Sequence, residues 1–481
     1  MRVLFYNWVD YRDPQGRGGG VAVYQRNLIA ALSQRNDVET GFFCAGLAHD
    51  LAPRAPRWAA MGADRPRHWE IVNSAALAPA QHGFGQAAQV SDPETEAAVC
   101  DLVAATGPWD VLHLDNLEGL PAGVLAALKA RFPSLRIVYV MHNYYPICPQ
   151  VNLWHREART CPGFDAGRAC ATCLPVRPET RLLRLSHALS WRLARAGLRP
   201  GGRAWKAGFG TLRLGARRLR ALRARRAPAQ AIPAPVDGAP FAARRAAMLE
   251  AVNTQCDAVL CVSDAVRRLA VDYGVDPART HVARIGTAEA AAFARTAPRP
   301  VPRSPDAPLV LGYLGYMRRD KGFYFLLDAL EALPDAQAAR IGLMVAAKGI
   351  DAATAARLDR LKARLAGLTL HDGYRHADLD RLLADVDVGV VPVLWHDNLP
   401  QVAIEMHARH VPLLCSDRGG AQELGNAPTM VFPAGDAGAF HDRLRAILEG
   451  RVDFARYWQG ARPPMDMARH VETLLGHYRP G

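Results

Sequence analysis

The sequence predicts an α/β protein in which two doubly wound parallel sheets follow one another along 481 residues. Three observations support this prediction. Apolar runs of strand length alternate with helical stretches in two separate series, a proline-rich segment divides the series, and half of all residues are apolar, which provides a large core. At roughly 150 residues per domain, this length corresponds to two or three domains.

The first series begins with an apolar strand over 1–9, which runs into the glycine-rich turn Gly16–Gly20 and then into apolar residues at helical spacing. Alanine-rich helical stretches separate the strand-like runs that follow, at 38–43, 111–114 and 137–141. We assign this first lobe to residues 1–175. It resumes over 251–296, where the strand 259–262 leads into Ser263 and Asp264 as a helix cap.

Residues 176–250 break the alternation and are interpreted as a basic helical insertion. Between Arg177 and Arg226 there are fifteen Lys and Arg residues and one acid, Glu179, so this segment carries +14 and the rest of the chain −1. Because the rest of the chain is almost neutral, nucleic-acid binding by the whole protein is not expected. The local basic element instead predicts an anionic partner, such as anionic lipid, a phosphate-bearing acceptor or RNA.

Within the insertion, apolar residues recur at three- and four-residue spacing beside basic ones, as expected for a helix lying on a membrane surface. A solvated helix packed on the first lobe is the other interpretation. The apolar positions are Trp205, Phe209, Leu212, Ala216 and Leu219, and the basic positions are Lys206, Arg213, Arg217 and Arg220.

The proline-rich segment 297–308 is interpreted as a stiff interdomain linker. The second series follows it over 309–450 and predicts a second sheet, and 451–481 is expected to form a helical tail returning to the first lobe. Ligands of open parallel sheets bind at the carboxyl ends of the strands, so the chemistry is expected where the loops of two lobes face each other across a cleft.

The loop Gly315–Gly322 lies between a predicted strand and a predicted helix of this second series. It places Arg318, Arg319 and Lys321 beside the exposed N–H groups of a helix start, a combination that suits a diphosphate. A solvated turn that merely begins the helix is the alternative interpretation.

A second loop carries two acids, Asp397 and Glu405, on either side of a predicted helix start. We expect Asn398 or Leu399 to cap this helix and Pro400 to occupy its first turn, followed by Gln401. One carboxylate can accept hydrogen bonds from sugar hydroxyls and the other can bind a ribose diol, while the helix start faces a diphosphate. A turn residue and a surface helix residue would give the same spacing.

The loop with Lys321, the Asp397 and Glu405 pair, and the run Ser416–Glu423 together resemble the retaining GT-B glycosyltransferases of glycosyltransferase family 4. The resemblance spans roughly 1–175 and 255–450. It implies two Rossmann-like lobes and a donor site formed by Gly315, Arg318, Arg319, Lys321, Asn398, Leu399, Pro400, Gln401 and Glu405. Two positions depart from the family pattern, because Asp397 replaces a glutamate and Tyr316 replaces an arginine.

In the first lobe the resemblance assigns Gly18, Gly19 and Gly20 to a loop for acceptor and donor phosphate, and His142 to a position near the donor sugar. His113 is a weaker candidate for the second role. The implied reaction transfers a sugar from a nucleotide sugar with retention of configuration, with His142, Lys321 and Asp397 in the catalytic roles and without a catalytic metal. Tyr374 or Arg375 is a candidate for stacking on the base, and capping of the helix that follows is the alternative interpretation.

Four of the nine cysteines, Cys148, Cys161, Cys170 and Cys173, fall within one 26-residue stretch. Their spacing permits a structural zinc ion, but it matches no recognised zinc finger, and unliganded thiols are the second interpretation.

The sequence therefore predicts a cytoplasmic enzyme, peripheral on the inner face of the membrane, that acts on a polysaccharide, lipid-linked or glycolipid acceptor. We find no apolar run of membrane-spanning length and no secretory signal. Two alternatives are another GT-B enzyme, such as a nucleotide-sugar epimerase, and a non-catalytic GT-B-like scaffold bound to the membrane.

Overall fold

A computed structural model describes residues 1–174, 179–198, 202–203, 205, 207–208, 215, 237–304 and 307–479. The chain divides into two compact units. The first unit comprises 1–139, 145–151 and 162–257, and the second comprises 140–144, 152–161 and 258–481. In the described residues there is no helix that is both long and apolar enough to cross a membrane.

The first unit contains a sheet whose strands lie in the order β6-β5-β1-β2-β4-β3. All neighbours are parallel except the edge pair β3 and β4, and β1 pairs with β2 from Arg2 opposite Glu39. The first predicted strand is shorter than expected, whereas β3 and β4 were not predicted. The strands are β1 Arg2–Tyr6, β2 Glu39–Ala48, β3 Arg57–Ala60, β4 His68–Val72, β5 Val111–Leu114 and β6 Arg136–Met141.

Helices alternate with the parallel strands of the first unit. The helix after the glycine turn begins at Gly19, with Gly18 as its N-cap, and the second helix begins after Asp92, whose carboxylate accepts from the backbone N–H of Thr95 at 3.0 Å. The helices are α1 Gly19–Leu32, α2 Pro93–Thr106, α3 Val124–Arg131, α4 Arg168–Ala171, α5 Thr180–Arg195 and α6 Ala239–Gln255.

The second unit contains a six-stranded, all-parallel sheet in the order β13-β12-β11-β14-β15-β16. It also contains the parallel pair β9 and β10 and the antiparallel pair β7 and β8. The strands are β7 Trp154–His155, β8 Arg159–Thr160, β9 Ala258–Cys261, β10 Thr280–Val282, β11 Leu309–Tyr316, β12 Ile341–Lys348, β13 Gly367–Asp372, β14 Val388–Val391, β15 Leu413–Ser416 and β16 Val431–Phe432.

The helices of the second unit follow the predicted alternation. Ser263 caps the first of them, as expected, because its hydroxyl accepts from the N–H of Val266 at 3.2 Å. The helices are α7 Asp264–Asp272, α8 Ala290–Arg295, α9 Phe323–Glu331, α10 Asp335–Ala338, α11 Ala352–Lys362, α12 Leu379–Leu382, α13 Gln401–His407, α14 Gln422–Gly425, α15 Ala437–Leu448, α16 Phe454–Gly460 and α17 Met467–Tyr478.

Apolar side chains from both the strands and the helices form the core of the second unit. Leu311 of β11 and Val345 of β12 are fully or almost fully buried, and so are Phe323 and Leu326 of α9 and Phe440 of α15. A parallel strand buried on both faces needs such continuous apolar residues. Both units therefore have the alternating strands and helices of a Rossmann-like lobe, as predicted.

The predicted basic insertion lies largely outside the described residues. Of the expected membrane-surface stripe, only Trp205 is described, and its side chain is 8% exposed. The described parts of 176–250 include α5 and α6.

Three histidines from separate elements of the first unit meet beneath α5. The ring centroid of His187 on α5 lies 5.8 Å from that of His49 and 5.2 Å from that of His82. Burial, and then the nearby Arg184, lower the pKa of His49 to about 4, and burial followed by the other two imidazoles lowers the pKa of His187 to about 3. Folding thus favours the neutral rings.

We predict that the free energy of unfolding of the first unit falls with acidification. The unfolded histidines titrate at about pH 6.5, so below that pH the unfolded chain binds more protons. Each histidine whose pKa is depressed in the folded state then lowers the free energy of unfolding by about 1.4 kcal/mol per pH unit until its folded pKa is reached. Urea unfolding at pH 7, 6 and 5 measures this, and His187→Gln should show a shallower pH slope. An equal slope in wild type and variant would contradict the prediction.

Candidate functional site

The site begins at the carboxyl end of β11, where the chain turns sharply into α9. Gly322 is the N-cap of α9 and has a positive φ of 74°, and a Cβ at this position would overlap the carbonyl oxygen of Pro392. The loop therefore approaches the segment after β14 at backbone distance, and only glycine permits this. This close approach positions the neighbouring Lys321.

Lys321 forms an ion pair with Asp397. Its Nζ lies 2.7 Å from Oδ2 of Asp397, and the lysine side chain retains 28% exposure while the aspartate side chain retains 8%. The same ammonium lies 4.7 Å from the ring centroid of Trp395. A lysine held by a carboxylate and an indole keeps a further N–H for another ligand, since an ammonium has three donors.

The second oxygen of Asp397 organises the loop that follows it. Oδ1 accepts from the backbone N–H of Asn398 at 2.9 Å. The Asn398 side-chain amide donates to the carbonyl oxygen of His142, and the backbone carbonyl of Asn398 accepts from the hydroxyl of Ser263 at 2.8 Å. Thus the structure brings the backbone of His142 to the Asp397 loop.

The loop after β15 packs on the same backbone. Gly419 has a φ of +80°, and a Cβ there would overlap the carbonyl oxygen of Asp397. The N–H of Gly420 donates to the carbonyl of Asn398 at 3.1 Å. Asp397 is therefore fixed by its neighbours on two loops.

Helix α13 starts where the sequence suggested, but with a different cap. Pro400 is the N-cap and lies outside the first turn, because its extended ψ of 129° precedes the first helical residue, Gln401. The expectation that Asn398 or Leu399 caps the helix is therefore wrong. The helix ends at His407.

Glu405 on α13 is 2% exposed, so the surface interpretation of this residue is wrong. Its Oε2 accepts from the hydroxyl of Tyr374 at 2.5 Å, and its Oε1 lies 3.1 Å from Nε2 of His376. The hydrogen bond to Glu405 raises the pKa of His376, and burial together with the Glu405 carboxylate raises the pKa of Tyr374. A carboxylate with two such donors is well oriented and retains acceptor capacity for a ligand.

The basic residues of the Gly315–Gly322 loop differ in their partners. The guanidinium of Arg318 forms two hydrogen bonds to Asp320, both at 3.0 Å. Arg319 lies over the ring of Tyr324, 6.0 Å from its centroid, and is exposed. Tyr316 is 53% exposed. Arg319 is therefore better placed than Arg318 to offer a second positive charge.

Glu423 ends the run Ser416–Glu423 and serves as an anchor. Its two carboxylate oxygens accept from the backbone N–H groups of Asp264 and Ala265, at 3.0 and 2.7 Å, in the first turn of α7. Arg284 lies 3.3 Å from the same carboxylate. No role for this glutamate was predicted from the sequence.

The predicted glycine loop and His113 lie in the first unit. Gly19 has a positive φ of 53°, while a Cβ at Gly18 would meet that of Ala22 at 2.6 Å. His113 is fully buried and lies 3.3 Å from Asp115.

The cysteine stretch was a candidate zinc site. Cys170 and Cys173 are buried in an apolar cluster with Phe84 and Phe241. Within the described part of the chain, which includes all four cysteines of the stretch, no three or more His, Cys, Asp or Glu side chains form a group that could hold a metal ion. Zinc binding by these four cysteines stays a prediction to be tested.

Sequence reasoning missed Trp395 and His376. Both lie beside predicted ligands, Trp395 two positions before Asp397 and His376 two positions after Tyr374. Trp395 could have been found from the sequence, because it is an aromatic residue next to both a strand end and a candidate acid. His376 could not, because its partner Glu405 lies 29 residues away in the sequence.

Residues 308–450 match the family model described as Glycosyl transferases group 1. A comparison with curated protein sequences finds no match. Among solved structures, the chain is similar to HepE from Anabaena in complex with UDP, with 14% identity, a TM-score of 0.54 and 99% of each chain covered.

Two further solved structures are similar over almost the whole chain. The UDP-forming α,α-trehalose-phosphate synthase from Burkholderia xenovorans, in complex with glucose-6-phosphate, has 16% identity and a TM-score of 0.55, with 99% of this chain and 100% of that chain covered. Sucrose-phosphate synthase from Thermosynechococcus elongatus has 16% identity and a TM-score of 0.50, with coverages of 100% and 95%. These likenesses show that the chain has the GT-B fold.

We predict that Gly419→Ala lowers the free energy of unfolding more than Gly450→Ala. Both glycines have positive φ, so both substitutions carry a backbone cost of about 1 kcal/mol, but only the Gly419 Cβ meets backbone, whereas Gly450 faces open space. Urea unfolding of the two variants compares them directly. Equal losses would show that the packing of this loop on Asp397 is unimportant.

For the cysteine stretch we expect less than about half an equivalent of zinc per purified chain, and no change in metal content in Cys170→Ser. Plasma emission spectrometry of protein purified without chelators measures this. A full equivalent that is lost in the variant would establish the zinc site instead.

Proposed function

We propose that this protein is a retaining glycosyltransferase that moves a sugar from a nucleotide sugar to a polysaccharide, lipid-linked or glycolipid acceptor. The observation that carries the proposal is the Lys321 and Asp397 ion pair, which lies beside the start of α13 within the stretch that matches the glycosyl transferases. Because HepE was solved with UDP and the synthase is UDP-forming, a uridine diphosphate sugar is the first donor to test.

The donor site combines groups suited to the two ends of such a molecule. The remaining N–H donors of Lys321 and the guanidinium of Arg319 offer positive charge to the diphosphate, and Glu405, oriented by Tyr374 and His376, offers acceptors to the ribose hydroxyls. Backbone N–H groups at the start of α13 add to the diphosphate site.

In the proposed reaction the bond between the anomeric carbon and the phosphate oxygen breaks while the acceptor oxygen attacks the same face. The proton of the acceptor hydroxyl passes to the departing phosphate oxygen, so the products are the glycoside and the nucleoside diphosphate. Lys321 stabilises the charge that develops on the leaving diphosphate, which removes the need for a catalytic metal. Asp397 holds Lys321 in this position and faces the donor sugar together with His142.

We further propose that the acceptor is presented at the inner face of the membrane, where the basic segment 177–226 favours anionic lipid. The competing proposal is a non-catalytic scaffold bound to the membrane. It is favoured by Tyr316 and Asp397, the two positions that depart from the family pattern. Turnover of a nucleotide sugar separates the two, because a scaffold binds the nucleotide without transferring the sugar.

We predict that Lys321→Gln lowers kcat by about 10²- to 10³-fold, because it removes the charge that stabilises the leaving diphosphate. Glu405→Gln should weaken UDP binding about tenfold, because it replaces a charged acceptor by a neutral one. Donor hydrolysis and calorimetric titration with UDP measure the two effects. Lys362→Gln and Glu449→Gln, both exposed, are the matched controls.

Removing Lys321 alone leaves the buried carboxylate of Asp397 without its cation, which can unfold the loop. The double variant Lys321→Gln/Asp397→Asn removes both charges, and it should fold and remain inactive. Recovery of turnover in the double variant would contradict the role of Lys321. The anomeric configuration of the product, read by proton NMR, tests retention separately.

A further inference from the structure

Helix α5, Thr180–Arg195, has one face anchored to the first unit. Nε1 of Trp191 donates to Glu70 at 2.8 Å, and the hydroxyl of Thr180 accepts from Gln86 at 2.6 Å. With His187 lying between His49 and His82, these contacts extend along the length of the helix. Its orientation on the first unit is therefore fixed.

The opposite face is apolar and basic at once. Leu182 is 37% exposed and Leu185 is 55% exposed, the largest exposed fraction among the exposed large hydrophobic residues that the structure describes. At 100° per residue, Arg181 and Arg192 fall within a quarter turn of Leu185, and both are exposed. A solvated helix face is ordinarily polar and charged, so the two exposed leucines distinguish this face.

Helix α5 and the sequence that follows it contain basic residues and no acidic residue up to Arg226. The helix contains four arginines and no acidic residue, and residues 199–226 add ten Lys and Arg residues and again no acid. Exposed leucines gain free energy by entering the boundary between headgroups and acyl chains, and arginines gain it from anionic headgroups. An RNA partner would account for the arginines but would leave the exposed leucines without a partner.

We propose that the outward face of α5, defined by Arg181, Leu182, Leu185 and Arg192, is a membrane-contact surface that binds a bilayer containing anionic phospholipid. The surface deepens the proposed function, because it brings the enzyme to lipid-linked acceptors. It also relocates the contact, since the sequence pattern placed the interfacial residues at 205–220. Two exposed leucines one turn apart, with arginines beside them on the same face, suit shallow insertion without spanning.

The test is co-sedimentation of the full chain with phosphatidylcholine vesicles prepared with and without phosphatidylglycerol. Wild type is expected to pellet with the anionic vesicles only. Arg181→Gln/Arg192→Gln should weaken this binding by about thirtyfold, and Leu182→Ser/Leu185→Ser by at least about tenfold. Leu370→Ser and Arg131→Gln, exposed residues on other elements, are the matched controls and should bind like wild type.

Thermal unfolding of each variant confirms that it folds, and sedimentation velocity shows whether the leucines instead join two copies of the chain. The proposal is overturned if wild type ignores anionic vesicles, if the α5 variants pellet like wild type, or if the leucine pair changes only self-association. Binding to an RNA homopolymer that depends on the arginines but not on the leucines would also overturn it. No donor is present in this assay, so a failure of the proposed transfer reaction leaves its result unaffected.

Discussion

The candidate donor site depends on two close backbone approaches made at glycines. Gly322 turns against the carbonyl of Pro392, and Gly419 turns against the carbonyl of Asp397, each with a positive φ. No side chain can occupy either position without moving the opposing backbone. The three loops at the carboxyl ends of β11, β14 and β15 are held together in this way, so the position of the Lys321 ammonium follows from backbone packing.

The charges of the site are balanced in pairs. Asp397 is opposed by Lys321, and Glu405 by the imidazole of His376, whose pKa this contact raises. A buried carboxylate needs a cation or several donors to remain charged. An incoming diphosphate would add negative charge beside Lys321, and Arg319, which is exposed, can offset it.

Much of this arrangement could be predicted from local signals. A lysine and a glycine after a strand, and two acids flanking a proline at a helix start, require only that each stretch keep its own secondary structure. The predicted helix boundaries were less accurate, since Pro400 is the N-cap of α13 and does not lie in its first turn. The edge strands β3 and β4 were not predicted, because their residues show no clear alternation of apolar and polar side chains. The contacts of His376 and Glu423 could not be predicted, because their partners lie far away in the sequence.

By itself the sequence determined the two series of strands and helices, the glycine turns and the concentration of positive charge between Arg177 and Arg226, because each of these is a property of neighbouring residues. Tertiary structure alone decided that Asp397 binds Lys321, that Glu405 is buried against Tyr374 and that Leu182 and Leu185 face outward while His187 is enclosed. Helical periodicity defines a face, but only the elements packed against a helix determine which face is covered.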